Sequence, residues 1–304
     1  FAIIFTIDAD TDWTSEDALR MANPNMGISV FEEFLRNEQQ RAINTPREQS
    51  TFKTKHLCVW VTAASPFFNA EKLKQLTDPM LKADDFHGLP AVLSFDLASK
   101  IDIAADMRLF QRFLASGKDG EFEKHWYAFG RYYVPEERTK IPECRHYAGW
   151  VEEGFLIATP GNMIDFDYIE ANLKADCEQY EVRKICADPW NATQIITHLQ
   201  AHIGEDNVVE VPQTVMHLSE PMKEIQAMIE DGRFHHDGNP VFLWMMGNVT
   251  AQQDRNGNVF PRKESDERKI DGAVALIVAA AGRGSFEQLP ETSIYETESL
   301  MAVG

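Results

Sequence analysis

The chain lacks several signatures that would assign it quickly. Basic residues are scarce: 29 Lys and Arg stand against 48 Asp and Glu over 304 residues, for a formal net charge of -19. Such a charge repels phosphate at long range and by itself argues against a nucleic-acid partner. Only four cysteines occur, Cys58, Cys144, Cys177 and Cys186, with no C-x-x-C spacing. That excludes a disulfide framework and a zinc ribbon, and leaves small core residues of a reducing compartment. No apolar run approaches the ~20 residues of a membrane span, the longest being Ala273 to Ala281, and no basic-then-apolar signal opens the chain. No G-x-x-x-x-G-K-[ST] loop is present; Ser116-Gly117-Lys118-Asp119 lacks the leading glycine and the hydroxyl residue, so ATP hydrolysis on a P-loop is not expected. Repeats and low-complexity tracts are also missing. A cytoplasmic protein is the expectation, and the absence of Met before Phe1 reads as a fragment of something longer.

What is present is globular: 44% of residues are hydrophobic and 25% charged. Residues 1–85 mix an apolar run (Ala2 to Ile7, read as a strand) with acidic turns at Asp8, Asp10 and Asp12. A helix is predicted from Val30 to Ile43 on the spacing of Phe31, Phe34 and Leu35. This stretch is not expected to have a core of its own. From Phe86 strand runs alternate with helical segments, the pattern of an α/β layer fold. Strands are predicted at Pro90–Leu97, returning as a hairpin over Ile101–Leu109, then at Trp126–Val134, Glu181–Ala187 and Val208–Val211. Helices are predicted at Thr193–Ile203, Glu220–Glu230 and Ile270–Gly282, with an apolar run Val241–Met246 between the last two. The sum is a mixed sheet of five or more strands flanked by helices.

Three carboxylates hold positions suited to chemistry. Asp96 ends the first strand and shares a face with Val92 and Ser94 by period-2 alternation. Asp188 closes the run Glu181–Ala187 at the carboxyl edge, where open α/β sheets build sites. Asp271 opens a helix apolar all round, on one stripe with Val274, Ala275 and Val278. Each also has a structural reading: Asp188 as a cap, Asp271 satisfied by first-turn amides, Asp96 beginning a turn. Convergence within ~5 Å would cost about 3 kcal/mol per pair at an effective dielectric of 20. A divalent cation removes that cost. Oxygen ligands select Mg²⁺ or Mn²⁺ over zinc, and two such ions suit hydrolysis of a phosphodiester.

The wording around these residues resembles the nuclease half of the large terminase subunit of tailed bacteriophages, a ribonuclease H-like fold. It is carried by Ser94-Phe95-Asp96-Leu97-Ala98-Ser99 with Ile101 to Ala105, Ala187-Asp188-Pro189-Trp190, His236-Asp237-Gly238-Asn239-Pro240 with Trp244 and Asn248-Val249, and Lys269-Ile270-Asp271-Gly272. Asp12-Trp13, the block Ala22 to Val30, and Ser293-Ile294-Tyr295-Glu296 resemble its flanking segments. The resemblance implies a metal-dependent endonuclease cutting concatemeric double-stranded DNA with two Mg²⁺ or Mn²⁺ ions. Asp96 would bridge both, and Asp188 and Asp271 would each complete one shell. It further implies residues 1–85 as the connecting segment from an ATPase domain and 86–304 as the nuclease domain. The implied partners are that ATPase domain, the terminase small subunit and the portal of the procapsid, all in the host cytoplasm of a virus-encoded system. Readings of other classes are a non-catalytic portal-docking module and a different ribonuclease H-like nuclease of resolvase or transposase type.

Supporting residues follow with their alternatives. Asp102 stands beside the metal or in a hairpin turn; His236 faces a phosphate or the attacking water, or packs a loop. Lys269 neutralises phosphate or orients Asp271. The segment Arg255, Arg262, Lys263, Arg268 and Lys269, with a turn at Asn256-Gly257-Asn258, suggests a protruding hairpin that contacts the DNA backbone, or an ordinary solvated loop. His198 and His202 have zinc-ligand spacing without the Glu or a third ligand, and read as a helix surface. Gly282-Arg283-Gly284 ends a helix and is not a dinucleotide loop.

Overall fold

The computed structural model describes residues 3–8, 11–59, 66–97, 101–115 and 122–286. The chain opens with three helices, α1 (Glu16–Ala22), α2 (Glu32–Asn44) and α3 (Pro46–Leu57), followed by the short α4 (Ala70–Gln75). Then come β1 (Pro90–Asp96), β2 (Ala104–Ala115), β3 (Phe122–Pro135), α5 (Glu136–Thr139), α6 (Arg145–Glu152), β4 (Ile157–Thr159) and α7 (Phe166–Gln179). The second half runs β5 (Glu181–Ala187), α8 (Thr193–Ile203), β6 (Val208–Glu210), α9 (Val215–Glu230), β7 (Phe234–His236), α10 (Pro240–Asn248), β8 (Thr250–Gln253), β9 (Val259–Arg262) and α11 (Asp271–Ala281).

Seven strands make one mixed sheet in the order β4-β3-β2-β1-β5-β6, with β7 also on β3. β1, β2 and β3 are an antiparallel meander, whereas β5 and β6 add to β1 in parallel, as expected of strands joined by helical crossovers. β3 is long enough to carry β7 beside Trp126–Ala128 and β4 beside Tyr133–Pro135 on one edge. This is the mixed, helix-flanked sheet predicted.

Each face of the sheet carries a core. On one, α11 and α9 pack with Val92, Leu109, Tyr132 and Cys186; on the other, α7 and α8 pack with Leu93, Phe95, Phe110, Tyr133 and Ile185. The second face also buries a charged network. Arg131 donates to Asp106 at 2.9 Å and pairs with Asp176, while Tyr133 donates to Asp106 and Asn172 donates to the Tyr133 hydroxyl at 2.9 Å. Burial raises the Asp176 pKa and the Arg131 guanidinium opposes it. A buried charge persists only with such pairing.

Three expectations for the N-terminal stretch give way. Residues 3–8 form no strand, and Ile3 and Ile4 are exposed. In α2 only Leu35 of the apolar triplet is buried; Phe31 is 81% exposed, because it caps the helix from outside its apolar stripe. Contrary to the reading of a coreless segment, Ala18, Leu19, Ala22, Leu35, Ala42, Phe52 and Leu57 bury one another in a separate small core. Phe68 and Leu73, by contrast, join the main core. The segment Ser293 to Glu296 lies outside the described residues.

Candidate active site

Asp96 ends β1 almost fully buried. The face it shares with Val92 and Ser94 is covered by α11, and the Ser94 hydroxyl donates to the Ala275 carbonyl at 2.6 Å. Gln213, just past β6, donates its amide to Asp96 Oδ1 at 3.3 Å. In the parallel β1/β5 pair Phe95 lies opposite Ala187, so Asp96 and Asp188 leave adjacent strands at the same edge. Cys186 shares the α11 side with Val92, and Asp188 follows one residue past the end of β5. Burial raises the Asp188 pKa, and the Trp190 amide, donating at 3.3 Å, opposes the shift.

The third carboxylate reaches this edge because α11 runs against β1. Gly282, at its far end, lies over Cys186 and Val92; a Cβ there would stand 2.7 Å from Cys186 Sγ. Ala275 lies over Ser94, and Gly272 is pressed on Tyr132, whose backbone is in register with Ala105 and hence with Asp96. The helix therefore crosses the sheet obliquely and delivers Asp271 to the carboxyl edge. There burial pushes the Asp271 carboxyl up to about 6; its own backbone amide opposes, the Asp102 carboxylate reinforces, and Lys269 and Lys263 oppose.

Two groupings result. Asp96 and Asp188 stand at neighbouring strand ends, with Gln213 on the first. Asp271 has Asp102, Lys269 and Tyr147 for company: Lys269 pairs with Asp102, and both carboxylates act on the Tyr147 hydroxyl, whose pKa burial raises. Asp102 Oδ1 is buried without a hydrogen-bond partner. Among the described residues, no three His, Cys, Asp or Glu side chains are grouped closely enough to hold one ion.

The supporting residues divide. Arg255 to Lys269 does begin as a hairpin: β8 pairs with β9, and Asp254 closes the turn by accepting the Asn256 and Asn258 amides at 2.8 and 2.9 Å. Arg255, Arg262 and Lys263 are exposed and Arg268 half-buried. Arg262 is held by Gln252 and lies over Phe260, while Lys263 pairs with Asp266. Lys269 is not part of that surface; it is 7% exposed and turned onto Asp102. A cleft of about 300 Å³ lies between Gln213, Thr214 and Val215 and the hairpin's Gln252, Asp254, Phe260 and Arg262, and the same Gln213 donates to Asp96. His236 takes the packing alternative. It is fully buried, its Nε2 donates to the Leu73 carbonyl at 2.9 Å, and its Nδ1 accepts from the Gly238 amide at 3.1 Å. His198 pairs with Glu170. The Gly282–Ser285 turn ends α11 as predicted.

A sequence model of the family "Terminase large subunit, endonuclease domain" matches residues 1–284. The chain belongs to this family. The terminase domain is 39% identical to Protein YmfN of Escherichia coli (strain K12), over 98% of this chain and 66% of that protein. It is 23% identical to the terminase large subunit of Enterobacteria phage HK97, over 91% of this chain and 53% of the other. The crystal structure of the HK97 large terminase superposes with a TM-score of 0.59 at 22% identity, covering 91% of this chain and 56% of that one, which supports the ribonuclease H-like fold. The chain thus spans just under two thirds of one relative and about half of the others. Gln213 and Tyr147 carried no sequence signal, since neither belongs to a motif and each reaches the site only through the topology.

Proposed function

We propose that this domain hydrolyses phosphodiester bonds of concatemeric double-stranded DNA, with Asp96, Asp188 and Asp271 as ligands of divalent metal, Mg²⁺ or Mn²⁺, in a two-ion site. The observation that carries the reading is the convergence of adjacent strand ends and the first turn of an antiparallel core helix on one sheet edge. The donor set fits a hard cation. All its atoms are oxygens, Asp102 Oδ1 is a buried acceptor lacking a donor, and burial, reinforced by the Asp102 carboxylate, pushes the Asp271 carboxyl up to about 6. The lack of a ready three-ligand cluster is compatible, because Mg²⁺ keeps several waters and takes one or two carboxylates. Bound divalent ions would supply charge neutralisation at the scissile phosphate and activation of water.

The chain's own groups then have distinct tasks. Gln213 fixes the rotamer of Asp96, and the Trp190 amide fixes that of Asp188. Lys269 holds Asp102 next to Asp271. Arg255, Arg262, Lys263 and Arg268 offer the phosphate contacts that an acidic protein otherwise lacks, and Arg262 lines the cleft shared with Gln213. The N-terminal helices would connect to the ATPase domain, with the small subunit and portal as further partners in the host cytoplasm. Among the described residues no helix is long and apolar enough to cross a membrane.

The test is plasmid cleavage with Mg²⁺ or Mn²⁺ by wild type, Asp96→Asn, Asp188→Asn and Asp271→Asn. Metal-dependent cutting lost in all three variants is expected. An intact fold that cuts with no divalent ion, or variants that cut undiminished, would refute the site and favour a portal-docking module.

A further inference from the structure

Trp190 is the largest side chain left in solvent beside the carboxylates. It is 73% exposed and belongs to neither core of the sheet. Its position is nevertheless fixed. The Trp190 amide is tied to Asp188 Oδ1 at 3.3 Å, and the Ala192 amide returns to the Pro189 carbonyl at 3.3 Å, closing a four-residue turn. Asn191 takes φ 59°, a left-handed value found at the third position of type II turns. Pro189 restricts the entry, and buried Ala192 anchors the exit into α8. A left-handed non-glycine residue beside a site is strain that the surroundings must maintain. Here it holds an indole outward, two residues from a carboxylate of the cutting edge.

The geometry points to Trp190 as a stacking surface for the nucleobase flanking the scissile phosphate, exposed by local unstacking of the duplex. This rests on the nuclease reading above. An uncharged aromatic face is a contact that a protein of net charge -19 can make to DNA without electrostatic opposition, and stacking tolerates every base. The Asp188 link sets the stacked base in register with the reacting phosphate.

The experiment measures affinity by fluorescence anisotropy for labelled duplexes, fully paired or with a central bulge, over a salt series. It uses wild type, Trp190→Ala and Trp190→Phe, each checked by plasmid cleavage and thermal melting. Trp190→Ala is expected to lose about tenfold in affinity (~1.4 kcal/mol), most on the bulged duplex, with an unchanged salt slope and melting temperature. Trp190→Phe should stay within about threefold of wild type. Equal affinity for wild type and Trp190→Ala, or equal losses in both variants, overturns the stack. Unchanged DNA affinity with loss of wild-type self-association also overturns it, and assigns the indole to a protein partner. If wild type cuts plasmid DNA while Trp190→Ala binds and cuts like it, only the stack falls. A wild type that neither binds nor cuts DNA removes the nuclease reading as well.

Discussion

Replacing Gly272 by Ala is the sharpest test of how α11 serves the site. A Cβ at this position would lie 2.5 Å from Tyr132 Cε1 and 2.9 Å from Met245 Sδ. Carbon atoms pack at about 3.5 to 4.0 Å, so roughly 1 Å of separation is missing. Tyr132 and Met245 are both fully buried, so a shift of either disturbs the core around it. The helix must lift at its first turn. Overpacking of this kind costs ~1–3 kcal/mol, and the better helix propensity of Ala returns up to ~1 kcal/mol. A net loss of about 1–2 kcal/mol is expected as a lowered urea midpoint at constant m-value. Because Asp271 precedes Gly272, the same lift displaces the carboxylate proposed above as a metal ligand, and if that proposal holds a misplacement near 1 Å costs about 100-fold in rate. Gly149→Ala is the control: it sits in α6 with nothing within 4 Å of the added carbon, and should be neutral or stabilising by up to ~1 kcal/mol. The reasoning is refuted if Gly272→Ala matches Gly149→Ala in midpoint and cleaves plasmid at the wild-type rate.

Other perturbations give separate readouts. Arg131→Met strands the buried Asp106 and Asp176 and should destabilise by ~3–5 kcal/mol in urea unfolding, far more than an exposed Arg41→Met. His125 and His235 share a hydrogen bond at 2.8 Å, and burial depresses both pKa values. The unfolded chain then binds more protons below its own pKa of about 6.5, so stability should fall as pH drops from about 7.5 to about 5.5. His125→Gln should flatten that slope in thermal melts, and an unchanged slope would exonerate the pair. Arg262→Ala with Lys263→Ala should weaken DNA binding for all sequences and reduce the salt slope by up to about 2; an unaltered slope removes the hairpin from the interface.

The parts of the fold visible in the sequence are those with a long apolar pattern and hard boundaries. β5 and α8 end where predicted because Asp188-Pro189 and Gly204 stop them, and the β8/β9 hairpin is announced by Asn256-Gly257-Asn258. β4 and β7 escape a reading of the sequence because they are strands only where β3 offers its edge, a pairing set by the fold. The Val241–Met246 run is a helix, α10, whose apolar residues give no clear stripe because it is packed on several sides. The carboxylate positions at strand ends are readable from the chain alone. The partners of His236 and Lys269 are not, since Leu73 is 163 residues from the first and Asp102 is brought to the second only by folding.

The sheet's two cores imply two kinds of damaged allele. A lesion under α7, around Asp106 and Asp176, weakens the fold at a distance from α11 and Asp271. Molecules that survive folding should cut normally, which is the behaviour of a temperature-sensitive mutant. A lesion under α11 shifts the helix that carries Asp271, so its carriers should be defective at every temperature, however well they fold.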